Sequence, residues 1–429
     1  MKTKFIGPIL IAALSVLTFL IWFLVRQGTP MFADYSVATH SLGQIAGLIG
    51  LTLFALTFVF TTRLKIVEDS FGGLDKVYQV HHLLGSLSFI LILFHPLLLV
   101  IKFIPSNWPL AAKYLLPSSS VAVNLGITAL LAMIILIALT IYINLKYETW
   151  KGSHRLFGFV FIIAFFHSFM ITSDISRYNL LKFYMLFICA LGIISFVYGS
   201  FIRPKIKDYP YKLKDIKSRG NVTILELEPI NEKIAFKPGQ FVFLKTNPKE
   251  QHPFTIASSP EENNIVLMIK SLGDYTSKIK ELKKGTLVSI EGPYGKMWEE
   301  LSSSQKPQVW IAGGIGITPF SSFVSHIAKT KSLKQKIDLF YCTSNNGEAF
   351  LLETLLEQAK AIPNLRIHDF CSADKGRIDL QKIESVVGKI EGKKFVLCGP
   401  LPMMESISKQ LKQKGFSKND ILYENFNLK

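Results

Sequence analysis

The chain has 429 residues, of which 49% are hydrophobic and 33 are Phe, with 48 Lys and Arg against 31 Asp and Glu. This hydrophobicity excludes intrinsic disorder and argues against a wholly soluble protein. Residues 1–203 carry 14 basic and 6 acidic side chains, whereas residues 204–429 carry 34 and 25. The first half is therefore predicted to lie in a lipid bilayer and the second half in water. Much of the net charge of +17 flanks apolar segments or is offset by nearby carboxylates, so no nucleic-acid partner is expected.

Six apolar stretches in the first half are long enough to cross a hydrocarbon core, which takes about 20 helical residues. These predicted spans are 6–25, 40–62, 79–101, 121–143, 155–173 and 180–202. The first span has no small-x-small cleavage pattern after it, so we interpret it as a retained helix rather than a signal peptide. Eleven Lys and Arg flank the spans on the side of the termini and five on the other side. This asymmetry predicts that both termini and the soluble half are cytosolic.

Four histidines lie in two of these spans, His81 and His95 in the third and His154 and His167 in the fifth. Both spans run outward, and the separations of 14 and 13 residues correspond to rises of about 21 and 20 Å. His81 and His154 thus lie at one depth and His95 and His167 at another, as bis-histidine ligation of two b-type haems requires. A single buried imidazole more often makes an ordinary hydrogen bond between helices, but two depth-matched pairs favour haem ligation. His82 cannot share a helix face with His81 and is not assigned as a ligand.

The fifth span presents a geometric difficulty for this interpretation. At about 100° per residue, 14 residues return to within about 40° of the same face, whereas 13 residues miss it by about 140°. The fifth helix must therefore be distorted, or it must present His154 and His167 obliquely.

Four cysteines, Cys189, Cys342, Cys371 and Cys398, have no paired spacing. This excludes a disulfide framework or a zinc motif as the organising feature and fits a reducing cytosol for the soluble half.

The soluble half shows two successive patterns. Short alternating segments with frequent turns in residues 206–303 predict an antiparallel β-barrel. Strand–helix alternation in residues 304–429 predicts an α/β domain with a parallel sheet. The expected fold is thus an all-α six-helix membrane bundle (residues 1–203), an antiparallel barrel and an α/β nucleotide-binding domain.

Three segments of the soluble half have the composition of cofactor-binding loops. The glycine-rich segment 312–319 lies between a strand and a helix, where a pyrophosphate is favoured, although a tight turn explains it equally well. Segment 252–259 ends a strand and carries hydroxyls that can bond a flavin ring, and segment 270–276 offers a glycine turn with donors for phosphates. Plain turn chemistry is the alternative for each of these two segments.

Taken in order, the motifs His-Pro-Phe-Thr (252–255), Gly-Asp-Tyr-Thr (273–276), Gly-Pro-Tyr-Gly (292–295), Gly-Gly-Ile-Gly-Ile-Thr-Pro (313–319) and Cys-Gly-Pro (398–400) resemble the ferredoxin–NADP reductase superfamily. The membrane half, with residues 74–78 leading into His81, resembles the ferric-reductase-like haem domain. The fusion of the two is similar to the NADPH oxidase family, and the compact chain resembles its bacterial members.

The resemblance implies FAD, two b-type haems and NADPH or NADH as electron donor. It implies haem ligation by His81, His154, His95 and His167. It implies cofactor contacts at His252, Pro253, Phe254, Thr255, Ser258, Gly273, Thr276, Gly313, Gly314, Gly316, Thr318, Cys398, Gly399 and Phe426. Of these, Cys398 is expected beside the nicotinamide, and Phe426 is expected to stack on the flavin where the nicotinamide must enter, so both are assigned catalytic roles.

Two departures from the family pattern concern specificity. NADPH-selective members often carry an Arg after the second strand of the nucleotide domain, and residues 341–347 contain none, with Arg377 as an alternative. Animal oxidases place a basic residue on helix two near the outer haem, where this chain has only His40 and Gln44. No calcium-binding loop or long regulatory extension is visible, so no obligatory accessory subunit is expected.

The function that this resemblance implies is electron transfer from cytosolic NAD(P)H across a bacterial plasma membrane to O2 outside, with superoxide as the product. A ferric-chelate reductase on the same scaffold is the nearest alternative. A non-enzymatic haem-binding membrane protein is the alternative from another class.

Overall fold

The computed structural model describes residues 6–104, 107–143, 145–247 and 250–424. The chain divides into two compact units, Met1–Ile206 and Lys207–Lys429. Each unit is described by itself.

The first unit is built from α-helices. Their bounds are α1 Ile6–Val25, α2 Tyr35–Thr61, α3 Lys65–Phe71, α4 Leu74–Val100, α5 Trp108–Leu115, α6 Val121–Tyr142, α7 Tyr147–Arg155, α8 Phe157–Met170, α9 Asp174–Arg177, α10 Asn179–Val197 and α11 Arg203–Ile206. Within the described residues, six spans are long and apolar enough to cross a membrane, which confirms the predicted number. The third and fifth spans begin earlier than predicted, at Leu74 and Tyr147, because their first turns are helical although they carry polar residues.

Helix α2 is the most buried of the six spans and packs against α1, α4 and α10. Gly43, Gly47 and Gly50 recur on the face of α2 that meets α4. A Cβ atom at any of them would lie within 3 Å of a side chain of α4. Small residues therefore let the two helix backbones approach closely, as is common between membrane helices.

The fifth span is interrupted at Leu156, between α7 and α8. The Leu156 N–H donates to the Ser153 carbonyl at 3.0 Å, and the Phe159 N–H donates to the Leu156 carbonyl at 3.0 Å. These are bonds between residues three apart, which wind the chain more tightly than an α-helix does. The residues after the break are therefore rotated relative to those before it, and the distortion expected between His154 and His167 is present.

The second unit begins with an antiparallel sheet. Its strands are β1 Tyr209–Arg219, β2 Val222–Pro229, β3 Phe241–Lys245, β4 His252–Thr255, β5 Ile265–Lys270 and β6 Leu287–Tyr294, in the order β4-β3-β6-β1-β2-β5. An antiparallel bridge between Ile256 and Leu267 connects the two edges, so the sheet curls into a barrel around an aliphatic core. The helices α12 Asp274–Lys278 and α13 Met297–Ser302 flank it. The predicted antiparallel barrel is confirmed.

A five-stranded parallel sheet follows. Its strands are β7 Gln308–Gly313, β8 Ile337–Thr343, β9 Leu365–Cys371, β10 Lys394–Cys398 and β11 Ile421–Tyr423, and its helices are α14 Thr318–Thr330, α15 Leu352–Ala359, α16 Ser372–Lys375, α17 Leu380–Val387 and α18 Leu401–Gln413. Buried apolar clusters cover both faces, as a parallel sheet requires. The strand order β11-β10-β7-β8-β9 reverses direction between β7 and β10. Ligands bind in α/β sheets outside the carboxyl ends of the strands at such a switch point.

Candidate functional site

The four histidines of the third and fifth spans meet in two pairs. The ring centroids of His81 and His154 lie 6.0 Å apart, and those of His95 and His167 lie 6.5 Å apart. Imidazole–metal bonds are about 2 Å long for zinc. Each pair therefore leaves space for one metal ion between its two rings.

Hydrogen bonds fix which ring nitrogen is available in three of these histidines. The Nδ1 atom lies 3.1 Å from the Thr57 carbonyl in His81, 2.7 Å from the Gly43 carbonyl in His95, and 2.7 Å from the Ala122 carbonyl in His167. A carbonyl oxygen only accepts hydrogen bonds, so each Nδ1 carries the hydrogen and each Nε2 keeps a free lone pair. This is the usual arrangement of a metal-ligating histidine.

His154 differs from the other three. Its Nδ1 atom is buried and has no hydrogen-bond partner within the described residues. Its ring stacks on that of Trp150, with centroids 5.3 Å apart. Its orientation is therefore set by aromatic packing rather than by a carbonyl.

His95 and His167 share a packing arrangement that the sequence did not reveal. The carbonyl that receives the His95 hydrogen belongs to Gly43, and Gly47 follows one helical turn later. A Cβ atom at Gly47 would lie 2.7 Å from the His95 Nδ1. Likewise, a Cβ atom at Gly126, one turn after the accepting Ala122, would lie 2.7 Å from the His167 ring. Each imidazole reaches its carbonyl because the residue one turn later has no side chain.

The donor set indicates which kind of metal group fits. No cluster of three or more His, Cys, Asp or Glu that could hold a bare metal ion occurs in the described part of the chain. Two imidazoles facing each other suit a metal whose remaining ligands come from a macrocycle, as in a bis-histidine haem. The residues present therefore fit two haems.

A charged cluster lies beside the N-terminal part of α2. Arg26, at the end of α1, donates to the Gln44 Oε1 at 2.6 Å and pairs with the Asp174 carboxylate at 3.5 Å, with both charged side chains largely buried. The Lys102 ammonium lies 3.4 Å from the His40 Nδ1. Cationic side chains from other segments thus lie beside this part of α2, which has no Lys or Arg of its own. Sequence reasoning treated Arg26 and Lys102 only as topology markers and missed this contact.

The predicted flavin-binding segment forms β4 and pairs with β3. The His252 ring stacks on Tyr275 with centroids 4.1 Å apart, and its Nε2 lies 2.9 Å from the Glu250 carboxylate. Pro253, Phe254 and Thr255 continue the strand, and Thr255 is buried at its end. These contacts hold the segment rigid at the edge of the barrel.

The other predicted flavin residues have local hydrogen bonds. The Thr276 hydroxyl accepts from the Leu272 and Gly273 N–H groups at 2.9 and 3.0 Å, which closes the loop before α12. The Ser258 hydroxyl accepts from the Val266 N–H at 3.0 Å, and the Ser258 carbonyl accepts from the Ser322 hydroxyl at 2.7 Å. Ser258 therefore joins the barrel to α14, and its predicted contact with a cofactor remains a prediction.

The glycine-rich segment and the Cys398–Gly399 segment lie side by side at the switch point. A Cβ atom at Gly316 would lie 2.3 Å from the Cys398 carbonyl, and one at Gly399 would lie 2.9 Å from the Gly313 backbone. Only glycine permits these approaches. Gly314, with φ +53°, has open space where a Cβ atom would be. The segment leads through Thr318 into α14. Gly314 and Ile315 are half-buried there, whereas Gly313, Gly316 and Thr318 are buried. The start of a helix is where phosphates bind.

The Cys398 thiol is buried at the end of β10. Burial raises the pKa of this thiol, and the Glu424 carboxylate raises it further. Cys398 is therefore a neutral thiol at physiological pH. Glu424, which sequence reasoning missed, accepts from the Lys296 N–H at 2.9 Å and ties the last strand to the barrel. Phe426 lies outside the described residues.

Three families match successive parts of the chain. Residues 46–165 match "Ferric reductase like transmembrane component". Residues 211–298 match "FAD-binding domain", and residues 310–409 match "Oxidoreductase NAD-binding domain". The chain is therefore an oxidoreductase with FAD- and NAD-binding domains.

Curated relatives are similar over part of the chain. The sulfhydrogenase 2 gamma chain of Pyrococcus furiosus is 25% identical over 49% of this chain and 79% of its own length. The toluate 1,2-dioxygenase electron transfer component of Pseudomonas putida is 28% identical over 45% of this chain and 60% of its own length. A superoxide-generating NADPH oxidase heavy chain of Dictyostelium discoideum is 28% identical over 40% of this chain. The match spans only 39% of the Dictyostelium protein.

Among solved structures, a flavohemoglobin from Malassezia yamatoensis with bound FAD and haem aligns with 92% of this chain and 100% of its own, with a TM-score of 0.52 and 20% identity. This likeness concerns the fold alone. The three family matches in their order, together with the Dictyostelium relative, give the chain an NADPH oxidase-like architecture, in which a ferric-reductase-like transmembrane component is fused to FAD-binding and NAD-binding domains.

Proposed function

We propose that this chain is an NAD(P)H oxidase of a bacterial plasma membrane that transfers electrons from cytosolic NAD(P)H to O2 outside and produces superoxide. When bound, FAD turns a two-electron donor into single electrons, and two b-type haems carry them across the bilayer. The two facing histidine pairs, in a transmembrane component that precedes a reductase module, are the observation that carries this proposal.

In this proposal the histidine pairs hold the two haems. His81 and His154 ligate the inner haem, and His95 and His167 ligate the outer one. The three Nδ1–H bonds to main-chain carbonyls orient the rings and raise the basicity of the ligating nitrogens. With two histidines assigned to each haem, the protein would leave no position for an acceptor on the iron, and the haems would supply single electrons to an acceptor outside, for which we propose O2.

The charged cluster of Arg26, Lys102 and Asp174, on the proposed outer side, favours an anionic product. Arg26 and Lys102 place two cations near the outer end of α2, and one carboxylate, Asp174, partly offsets them. A local positive potential favours the formation and departure of a small anion such as superoxide.

The three proposed domains are residues 1–203, which hold the haems, residues 206–303, which bind FAD, and residues 304–429, which bind the electron donor. His252 to Thr255 position the flavin ring, and Gly273 and Thr276 lie near its phosphates. Gly313, Gly314, Gly316 and Thr318 hold the nucleotide pyrophosphate at the start of α14. Cys398 and Gly399 border the nicotinamide, Phe426 covers the flavin face, and both termini with the soluble domains are cytosolic. No accessory subunit is required.

A ferric-chelate reductase on the same scaffold is the second candidate. The family description matched by residues 46–165 favours it, because that description names ferric reductases.

Anaerobic reduction of the purified full chain with NADPH or NADH tests the proposal, with the haem Soret band as the readout. Admission of O2 should then reoxidise the haems faster than admission of a ferric chelate, with superoxide formed. Faster reoxidation by the ferric chelate would favour the second candidate. A sample that binds no FAD, or haems that NAD(P)H does not reduce, would overturn both.

A further inference from the structure

The nucleotide domain has no residue of its own at the position that usually distinguishes NADPH from NADH. In dinucleotide-binding folds, the end of the second strand lies beside the adenosine ribose, where an acidic residue contacts the 2′-hydroxyl of NADH or an Arg contacts the 2′-phosphate of NADPH. Strand β8 ends here in Thr343, followed by Ser344 and Asn345. Neither an acidic residue nor an Arg occupies those positions.

A cavity of about 320 Å³ opens at this point, between the barrel and the parallel sheet. Gly314 and Ile315 of the glycine-rich segment line one part of it, and Asn345 and Gly347 after β8 line another. Barrel residues also line it, among them Arg219, Asn221 and Lys270. The cavity thus joins the expected pyrophosphate and ribose positions under a basic wall.

The strand pattern explains why Lys270 faces this cavity. In β5, Ile265, Leu267 and Ile269 are buried in the barrel core, so Met268 and Lys270 face the other way. Met268 packs against the core of the nucleotide domain. Strand β5 also lies against the Gly314–Ile317 segment. Lys270 therefore lies on the side of β5 that faces away from the barrel core, and β5 itself lies against the segment where the pyrophosphate is expected.

Arg219 reaches the cavity from a different element. It pairs with Val222 across the hairpin that joins β1 to β2, where Gly220 turns the chain with φ +58°. Its side chain is exposed, which leaves the guanidinium open to a ligand. Glu348 is the carboxylate among the described lining residues, so the two cations outnumber it. Arg377, the alternative that the sequence suggested, is not part of this lining.

We propose that Arg219, supplied by the flavin-binding barrel, binds the 2′-phosphate of the donor and makes the chain prefer NADPH over NADH. Lys270 binds the pyrophosphate, which both nucleotides share. A guanidinium suits this role because its planar donors pair with phosphate oxygens in a bidentate manner. The inference rests on the proposed function, since it requires the cavity to accept the electron donor.

The test measures flavin reduction by NADPH and by NADH in anaerobic stopped-flow experiments on the full chain, a readout that is independent of the acceptor. The wild type should prefer NADPH. Arg219→Ala should lower the second-order rate constant with NADPH by about tenfold or more and change that with NADH by less than about twofold. Arg219→Lys should keep part of the preference. Lys270→Ala should slow both nucleotides by a similar factor.

The controls separate this inference from the proposed function. Arg377→Ala should leave the NADPH/NADH ratio unchanged, and FAD content should stay at the wild-type level in every variant. The role of Arg219 would be overturned if Arg219→Ala left the ratio of the NADPH and NADH rate constants unchanged, whether or not both rates fell. It would also be overturned if Arg377→Ala abolished the preference for NADPH. Either result would leave the proposed function intact. If neither nucleotide reduces the wild-type flavin, the proposed function and this inference fail together.

Discussion

The imidazole of His167 occupies the space where a side chain at Gly126 would lie, because a Cβ atom there would be 2.7 Å from the ring. The ring uses this space to donate its Nδ1 hydrogen to the Ala122 carbonyl at 2.7 Å. The same arrangement recurs for His95, with Gly47 and the Gly43 carbonyl. The positions of His95 and His167 thus each depend on a glycine of a neighbouring helix.

Gly126→Ala should displace His167 and weaken the carbonyl hydrogen bond that orients it. Loss of such an orienting bond costs about 10–100-fold in metal affinity, so the outer haem should be lost or bound more weakly. Haem content per protein and the redox titration of the haems measure this. Gly152→Ala is the matched control, because a Cβ atom there has nothing within 4 Å. Equal haem content in both variants would contradict the positioning role.

His95→Leu or His167→Leu should remove the outer haem and leave NAD(P)H-dependent flavin reduction intact. Each variant should therefore retain about half of the wild-type haem, because one of two bis-histidine sites loses a ligand. His82→Leu is the control, because the ring that pairs with His154 at a centroid distance of 6.0 Å is that of His81, and His82 cannot share a helix face with His81. Loss of haem from the His82 variant would refute the ligand assignment.

Cys398 should make stability depend on pH in the alkaline range. Burial raises the pKa of its thiol in the folded state above the unfolded value of about 8.5. The stabilisation is therefore present below about pH 8.5 and is lost as the pH rises further, because the unfolded thiol ionises first.

Thermal unfolding of the FAD-loaded protein, followed by flavin fluorescence, measures this effect. The melting temperature of Cys398→Ser relative to the wild type should increase between about pH 7.5 and 9.5. The same difference at both pH values would show that the thiol does not ionise differently on unfolding.

Phe426→Ser tests the proposal that this ring covers the flavin face where the nicotinamide must enter; Phe426 lies outside the described residues. Aromatic stacking contributes about 0.5–1.5 kcal/mol beyond burial, so removing the ring should let the nicotinamide stack on the flavin more stably. A longer-lived charge-transfer band and slower product release should follow, with haem content unchanged. If Phe426 only packs, the variant should instead show lower thermal stability and partial FAD loss, with no new nicotinamide–flavin absorbance.

The helices and strands that were predicted from patterns within one short segment of sequence agree with the structure. Six apolar stretches give six spans, and alternating segments give the barrel strands. The span starts at Leu74 and Tyr147 were missed because hydropathy does not recognise a polar first turn. Likewise, the 13-residue spacing of His154 and His167 indicated a distortion but could not place it at Leu156.

The sequence by itself determined the order of the elements, the depth of the four histidines and the glycine-rich segment at a strand end, because periodicity and spacing along one chain specify these features. Only the tertiary structure decided that Gly126 faces His167, that Arg26 reaches Gln44, and that Arg219 and Asn345 line one cavity. Each of these pairs is separated by many residues or joins different elements. Their contact depends on how helices and sheets pack, and no pattern within a single segment encodes that.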